Sequence, residues 1–334
     1  MMKKTLVALA AVAAAGGAFA QATMTGALAY GYAQKTTSAG ATSGGMGLDT
    51  SDLYFGISED IEGVGKLTGG LGISTGGKGA ASSGTGNFIQ LDLGSMGSIK
   101  LDNVYSNSWL GGVASPGSVA YSTFSSGDGL SGVGMFSTYG YNEDLVYALK
   151  LGDSLTVTAV HTEPSTAASY NGIGSGAAGT TYAYSGASGN QQRYNTYSGT
   201  FKSSGLTIVA GYRTYDGADQ STKNSNFRHR AAASYDLGVA QIGGGYETTQ
   251  ATYGDTTTDT VIGLSAPLGA ITVSAQFGQR TKAGGTGDST YSGAAYAAKY
   301  SLSKRTSFDA TYLSNQTSGT SSASYFITRL VHSF

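Results

Sequence analysis

An all-β chain, folded as a 16-stranded antiparallel transmembrane β-barrel, is predicted by three observations. The chain opens with a secretory-type leader, and it closes on an alternating strand with an aromatic last residue. Between them it repeats strand, short turn, strand, long loop. In the closing segment Phe326, Thr328, Leu330, His332 and Phe334 share one face, and Tyr325, Ile327, Arg329, Val331 and Ser333 the other, because side chains alternate along a strand. Such a strand has to pair with the first one, since an open sheet edge is not tolerated in lipid. Phe334 is therefore read as an assembly signal.

The leader is residues 1–20. It has Lys3 and Lys4, an apolar run from Leu6 to Ala15, and Ala18-Phe19-Ala20 before the expected cut. The run is too short for a membrane-spanning helix. Cleavage would leave residues 21–334 as a single barrel domain and take the net charge from −1 to −3.

Composition narrows the class further. Only 12% of residues are charged, while 53 are glycine and 23 tyrosine, which is unlike a soluble domain. Three prolines are too few for a disordered Pro/Gly chain. Many short strands with small side chains, tyrosines near their ends and polar loops have this make-up. The absence of cysteine removes disulfide and thiol chemistry. Near-neutral charge without basic runs argues against nucleic acid. No cofactor is expected.

Sixteen strands are predicted at 23–34, 50–58, 65–75, 86–94, 97–106, 141–151, 154–163, 193–202, 205–215, 227–236, 239–249, 259–266, 270–280, 291–302, 306–314 and 324–334. Most approach the ~9–11 residues a tilted strand needs to cross a bilayer. Short connections such as Gly152-Asp153, Ser203-Ser204 and Ser303-Lys304-Arg305 alternate with long ones at 35–49, 76–85, 107–140, 164–192 and 281–290. An even strand count puts both ends on the short-turn, periplasmic side. Faces separate strand by strand: Ile271, Val273, Ala275 and Phe277 oppose Thr272, Ser274, Gln276 and Arg280, and Ile89, Leu91 and Leu93 oppose Gln90 and Asp92. Periodicity alone does not say which face is inside. The leader, Phe334 and the strand-end aromatics Tyr105, Tyr235, Tyr300 and Tyr312 point the apolar rows to lipid.

Three segments carry a family resemblance. Tyr300-Ser-Leu-Ser-Lys-Arg-Thr-Ser-Phe308 resembles the Y-x-L-S-K-R-T-x-x-Y segment of the trimeric general porins of betaproteobacterial type, with Phe308 at the usual Tyr. Ser51-Asp-Leu-Tyr-Phe-Gly-Ile-Ser-Glu-Asp-Ile61 is similar to that family's S-R-L-G-F-K-G-x-E-D-L stretch. Phe88 to Asn103 is similar to its V-G-L…G-x-V-x-L-G-R-Q hairpin. The resemblance implies a homotrimer in the Gram-negative outer membrane, in contact with its lipid, that passes ions and small hydrophilic solutes by diffusion. It also implies that the third long loop, 107–140 with Trp109, Pro116 and Asp128, folds inward and narrows the pore. Asp52, Asp102-Asn103 and Val331 depart from the family's arginines, and the first arginine of the chain is Arg193.

Charge preference follows from the inward faces. The expected pore lining is Lys66, Asp92, Lys100, Asp102, Lys150, Arg213, Arg228, Arg230, Glu247, Arg280, Lys299 and Arg329, with Asp128 added by the loop. Bases outnumber acids, but Asp92 and Asp102 lie beside Lys66 and Lys100, so a weak anion preference is expected. Two other readings compete with the channel, a plugged barrel serving as adhesin or structural surface protein and a barrel hydrolase. The latter would need a Ser or Asp beside a histidine; His229, between Arg228 and Arg230, is the candidate, and its plainer reading is a polar strand end near the extracellular rim. His161, His229 and His332 have no metal-ligand spacing. Gly174-Ser-Gly-Ala-Ala-Gly179 fits G-x-G-x-x-G but lies in a Gly-rich loop with no helix after it, which reads as a loop.

Overall fold

Alternating side chains and glycine-bearing turns leave the backbone one economical solution, a ring of hairpins in which every strand has two neighbours. The computed structural model describes residues 22–75, 82–106, 111–114, 139–165, 193–216, 225–251, 254–284, 287–317 and 322–334. The predicted leader and Asp128 lie outside the described residues. The strands are β1 (Thr23–Thr36), β2 (Thr42–Ile61), β3 (Gly65–Thr75), β4 (Ser82–Asp92), β5 (Ser98–Ser106), β6 (Tyr139–Leu151), β7 (Leu155–Ser165) and β8 (Arg193–Ser203). The second half continues with β9 (Leu206–Asp216), β10 (Ser225–Asp236), β11 (Gln241–Ala251), β12 (Thr256–Leu268), β13 (Ile271–Ala283), β14 (Ser289–Ser301), β15 (Thr306–Thr317) and β16 (Ala323–Ser333). All sixteen form one closed antiparallel barrel.

Closure is made by β1 and β16, in register from Ala27 opposite Ser333 to Thr36 opposite Ser324. One step further, Gly26 and Phe334 exchange both backbone hydrogen bonds at 3.0 Å. The Phe334 ring lies over Gly26, where a Cβ would overlap it. The seam therefore needs a residue without a side chain beneath the last ring.

Alternation orders the two faces. Leu28, Tyr30, Ile57, Leu71, Tyr212, Ile262, Phe277, Tyr296 and Leu330 are exposed on one face, and Lys35, Lys66, Arg213, Asp259, Arg280, Lys299 and Arg329 of the same strands lie on the other. In a closed ring with no water in the hydrocarbon, the apolar face is the outer one.

Two expected loops are shortened by strand. The predicted 35–49 loop shrinks to a turn at 37–41, because β2 runs from Thr42 and pairs along all of β1. Thr42 to Leu48 is Gly- and Ser-rich and shows no apolar alternation, so the pairing is carried by β1. Thr36 and Thr42 hydroxyls meet at 3.2 Å, and Gly44 leaves room for the Tyr32 phenol. The 281–290 connection likewise narrows to 284–288. The turn after β8 is a two-residue one, with Ser204 at φ 45° and Gly205 at φ 82°. Positive φ at both central residues matches the right-handed twist of the flanking strands.

One helical turn, α1 (Gly111–Ala114), stands inside the ring. Ala114 is fully buried with Val209, Ala232 and Val261, and Val113 packs at the edge of the same cluster. These partners are inward residues of β9, β10 and β12. Between them Gly245 of β11 makes the space, since a Cβ there would come within 2.7 Å of Ala114 Cβ. Contacts of this size stabilise the docked turn by only roughly 2 kcal/mol.

Candidate functional site

The inner wall is built from charged residues whose strands bring them into rows. Arg228 stands opposite Arg213 of β9, Arg230 opposite Glu247 of β11, Glu247 opposite Asp259 of β12, and Asp259 opposite Arg280 of β13. Four guanidinium groups and two carboxylates thus form a continuous band across β9–β13, on the same wall that carries α1 but nearer the long-loop end.

Each member of the band is held by its neighbours. Arg280 grips Asp259 with two hydrogen bonds of 2.6 Å, from Nε to Oδ1 and from Nη2 to Oδ2, and Asp259 is only 1% exposed. Paired donors of this kind fix orientation as well as charge. Glu247 is shared, ion-paired with Arg230 and 3.4 Å from Arg228 Nε, which also donates to Thr249 Oγ1 at 2.9 Å. Arg213 is the one member of the band without an ion pair among the described residues. Its Nε donates to Thr196 Oγ1 at 2.8 Å and its guanidinium lies 3.9 Å from the Tyr194 ring centroid, while its two terminal nitrogens have no hydrogen-bond partner among the described residues.

The other predicted lining residues that are described occupy the same inward face at separate places. Lys100 of β5 pairs with Asp102 and stands over the Phe88 ring at 5.1 Å. Asp102 faces Asp144 of β6 directly across the ladder. Lys66 opposes Asp92 near the short-turn end, where Lys150 and Lys299 also lie; Lys299 is opposite Asp309. Arg329 sits at the seam, bonded to Asp49 of β2 on one side and to Asp309 of β15 at 3.3 Å on the other. It reaches Asp49 across Gly31 of β1, which is in register with both Arg329 and Gly47.

Asp259 and Asp49 are the members that sequence reasoning missed. Asp259 opens the strand predicted at 259–266, where alternation has only one side to count from. Its alternation with Thr260 and Ile262 carried the signal. Asp49 lay in a predicted loop and enters through the register shift of β2 opposite Ala29 and Tyr30.

The histidines are on the outer side. His229 is stacked between Phe227 (5.8 Å) and Tyr246 (6.3 Å), His161 Nδ1 is 2.8 Å from Asn195 Oδ1, and His332 Nδ1 is 2.9 Å from Thr306 Oγ1. Among the described residues no group of three or more His, Cys, Asp or Glu is placed to hold a metal ion.

The family model for Gram-negative porins matches residues 5–320. The chain belongs to the Gram-negative porin family. It is accordingly an outer-membrane porin, located in the Gram-negative outer membrane. Solved structures with the same fold include an anion-selective porin from Comamonas acidovorans, at 16% identity and TM-score 0.67 over 94% of this chain and all of that one. Another is the trimer form of in-vitro folded OmpT, an outer membrane protein of Vibrio cholerae, at 10% identity and TM-score 0.67 over 95% of this chain and all of that one. A Rhodopseudomonas blastica porin triple mutant matches at 10% identity and TM-score 0.58 over 94% of this porin and all of the mutant. No curated protein sequence matches the chain.

Proposed function

We propose that this porin is a passive, water-filled channel for ions and small hydrophilic solutes, with a weak anion preference and no enzymatic activity. The observation that carries the reading is the band of Arg213, Arg228, Arg230 and Arg280, in which Glu247 and Asp259 are the carboxylates among the described residues. The two carboxylates offset half of the four positive charges, and the excess sits on a low-dielectric wall, where it acts on a passing ion more strongly than exposed charge does. Lys100, Lys66 and Arg329 each face an acid and add little.

The remaining parts of the reading follow the family. Residues 1–20 act as the cleaved leader, and three copies assemble as in the trimer form of the Vibrio cholerae protein. The 107–140 loop narrows the lumen, which the seating of Ala114 against β9–β12 supports. Phe334 serves assembly, supported by its fit over Gly26. Planar-bilayer recording tests the channel: a KCl gradient should give a small reversal potential of anion-selective sign, and the absence of single-channel steps would overturn the reading. Deleting Phe334 should reduce membrane assembly while leaving the conductance of inserted channels unchanged; normal assembly with altered conductance would refute its role.

A further inference from the structure

The Ser303-Lys304-Arg305 turn is the part of the Y-x-L-S-K-R-T resemblance that the lumen does not use. The short turns are 62–64, 93–97, 152–154, 204–205, 237–240, 269–270 and 302–305, and the last alone contains a lysine or arginine; Glu62 and Asp153 put an acid in two of the others. Its shape is held from within. Ser303 Oγ accepts from the backbone N–H of Arg305 at 3.1 Å and of Thr306 at 3.0 Å, and the Leu302 N–H donates to the Thr306 carbonyl at 2.9 Å. A serine that bonds two backbone donors keeps one turn geometry. Lys304 and Arg305 are exposed at its tip, and neither enters an ion pair among the described residues.

Above the turn, the outer face of the same hairpin is layered. Tyr300 stands opposite Phe308, then Ala298 opposite Ala310, then Tyr296 opposite Tyr312. The alanine layer between rows of rings leaves an apolar groove of about 460 Å³, closed at its sides by Val273 and Phe326. Ala310 is five residues from Arg305, roughly 17 Å along a strand. That is close to the depth of one leaflet, half of a hydrocarbon core of about 30 Å.

We propose that the β14–β15 hairpin binds an anionic phospholipid of the leaflet on the short-turn side. The phosphate is met by Lys304 and Arg305, and one acyl chain lies along Ala298 and Ala310. Charge complementarity selects this occupant: two cations with no acid partner among the described residues stand at the end of a mainly apolar groove. The proposal rests on the membrane-embedded porin reading.

Native mass spectrometry of the full-length protein, taken from nanodiscs of phosphatidylethanolamine and phosphatidylglycerol into detergent, tests it. The protein should retain phosphatidylglycerol. K304Q/R305Q should weaken retention roughly 30-fold, at about 1 kcal/mol for each basic residue near an anionic surface. Ala298→Leu, which fills the groove and leaves the turn intact, should also release the lipid, and millimolar inorganic phosphate should not displace it. Unchanged retention in K304Q/R305Q would overturn the proposal, and full displacement by inorganic phosphate would make the turn a free-anion site instead. Conductance of the same preparations should be equal. Loss of channel activity in the unsubstituted protein would count against the porin reading and not against the lipid site.

Discussion

The inner wall contributed by β9–β13 differs from that contributed by β2–β6. The first carries four arginines, two buried carboxylates and the docked turn α1. The second carries Lys66, Lys100 and Lys150 among Asp52, Asp92, Asp102 and Asp144, with Lys100 committed to Asp102. Both walls are polar and both alternate with apolar outer rows, yet they do different electrostatic work. Arginine presents a rigid fork that is bonded on two sides and remains charged when buried, whereas lysine is a flexible point charge that one neighbouring aspartate neutralises. Selectivity in such a lumen depends on where cations remain uncompensated, not on how many there are.

The sharpest way to break the contrast is to remove its internal compensation. Glu247→Gln leaves Arg228 and Arg230 without their shared carboxylate. Folded stability should fall by on the order of 3 kcal/mol, because an uncompensated buried charge is left behind. The channels that do assemble should become more anion-selective. Urea unfolding in detergent and reversal potentials in a KCl gradient read the two effects. Unchanged selectivity would remove the band from the ion path.

Next in size is the loop seat. Gly245→Leu fills the space beneath Ala114 and should expel α1 from the β9–β12 wall without touching strand pairing. Single-channel conductance should then rise, by roughly half or more if the loop narrows the lumen. Unchanged conductance and solute cutoff would mean that the seating of α1 does not restrict the path.

The smallest effect compares the two walls directly. Arg213→Ala removes the least compensated guanidinium and should lower the anion-to-cation permeability ratio by roughly a factor of two. Lys100→Ala should change it less, because Asp102 already offsets that charge. Equal changes from the two substitutions would erase the distinction drawn between the walls.

Sixteen strands, their order and the two faces of most of them were readable from the sequence, because a period of two is local chemistry. Ile271 to Phe277 against Thr272 to Arg280 needs no partner strand to be seen. The inward placement of Arg213, Arg228, Arg230, Glu247 and Arg280 follows from the same count. Where alternation is silent, as from Thr42 to Leu48, strand formation depends on β1 and the sequence pattern reads as loop.

Register is different. That Asp259 meets Arg280, that Arg329 reaches Asp49 across Gly31, and that Ala114 fits above Gly245 are relations between residues separated by 21 to 280 positions in the two ion pairs. Local pattern carries no information about which pair meets, since a strand shifted by two residues keeps the same faces. Side-chain fit at the seam, the bulge at Asp49 and the glycine seat choose one register among these. The sequence alone thus determined the barrel and the polarity of its walls. The tertiary structure decided which charges cancel, because cancellation depends on distances of a few ångströms that only the closed ring sets.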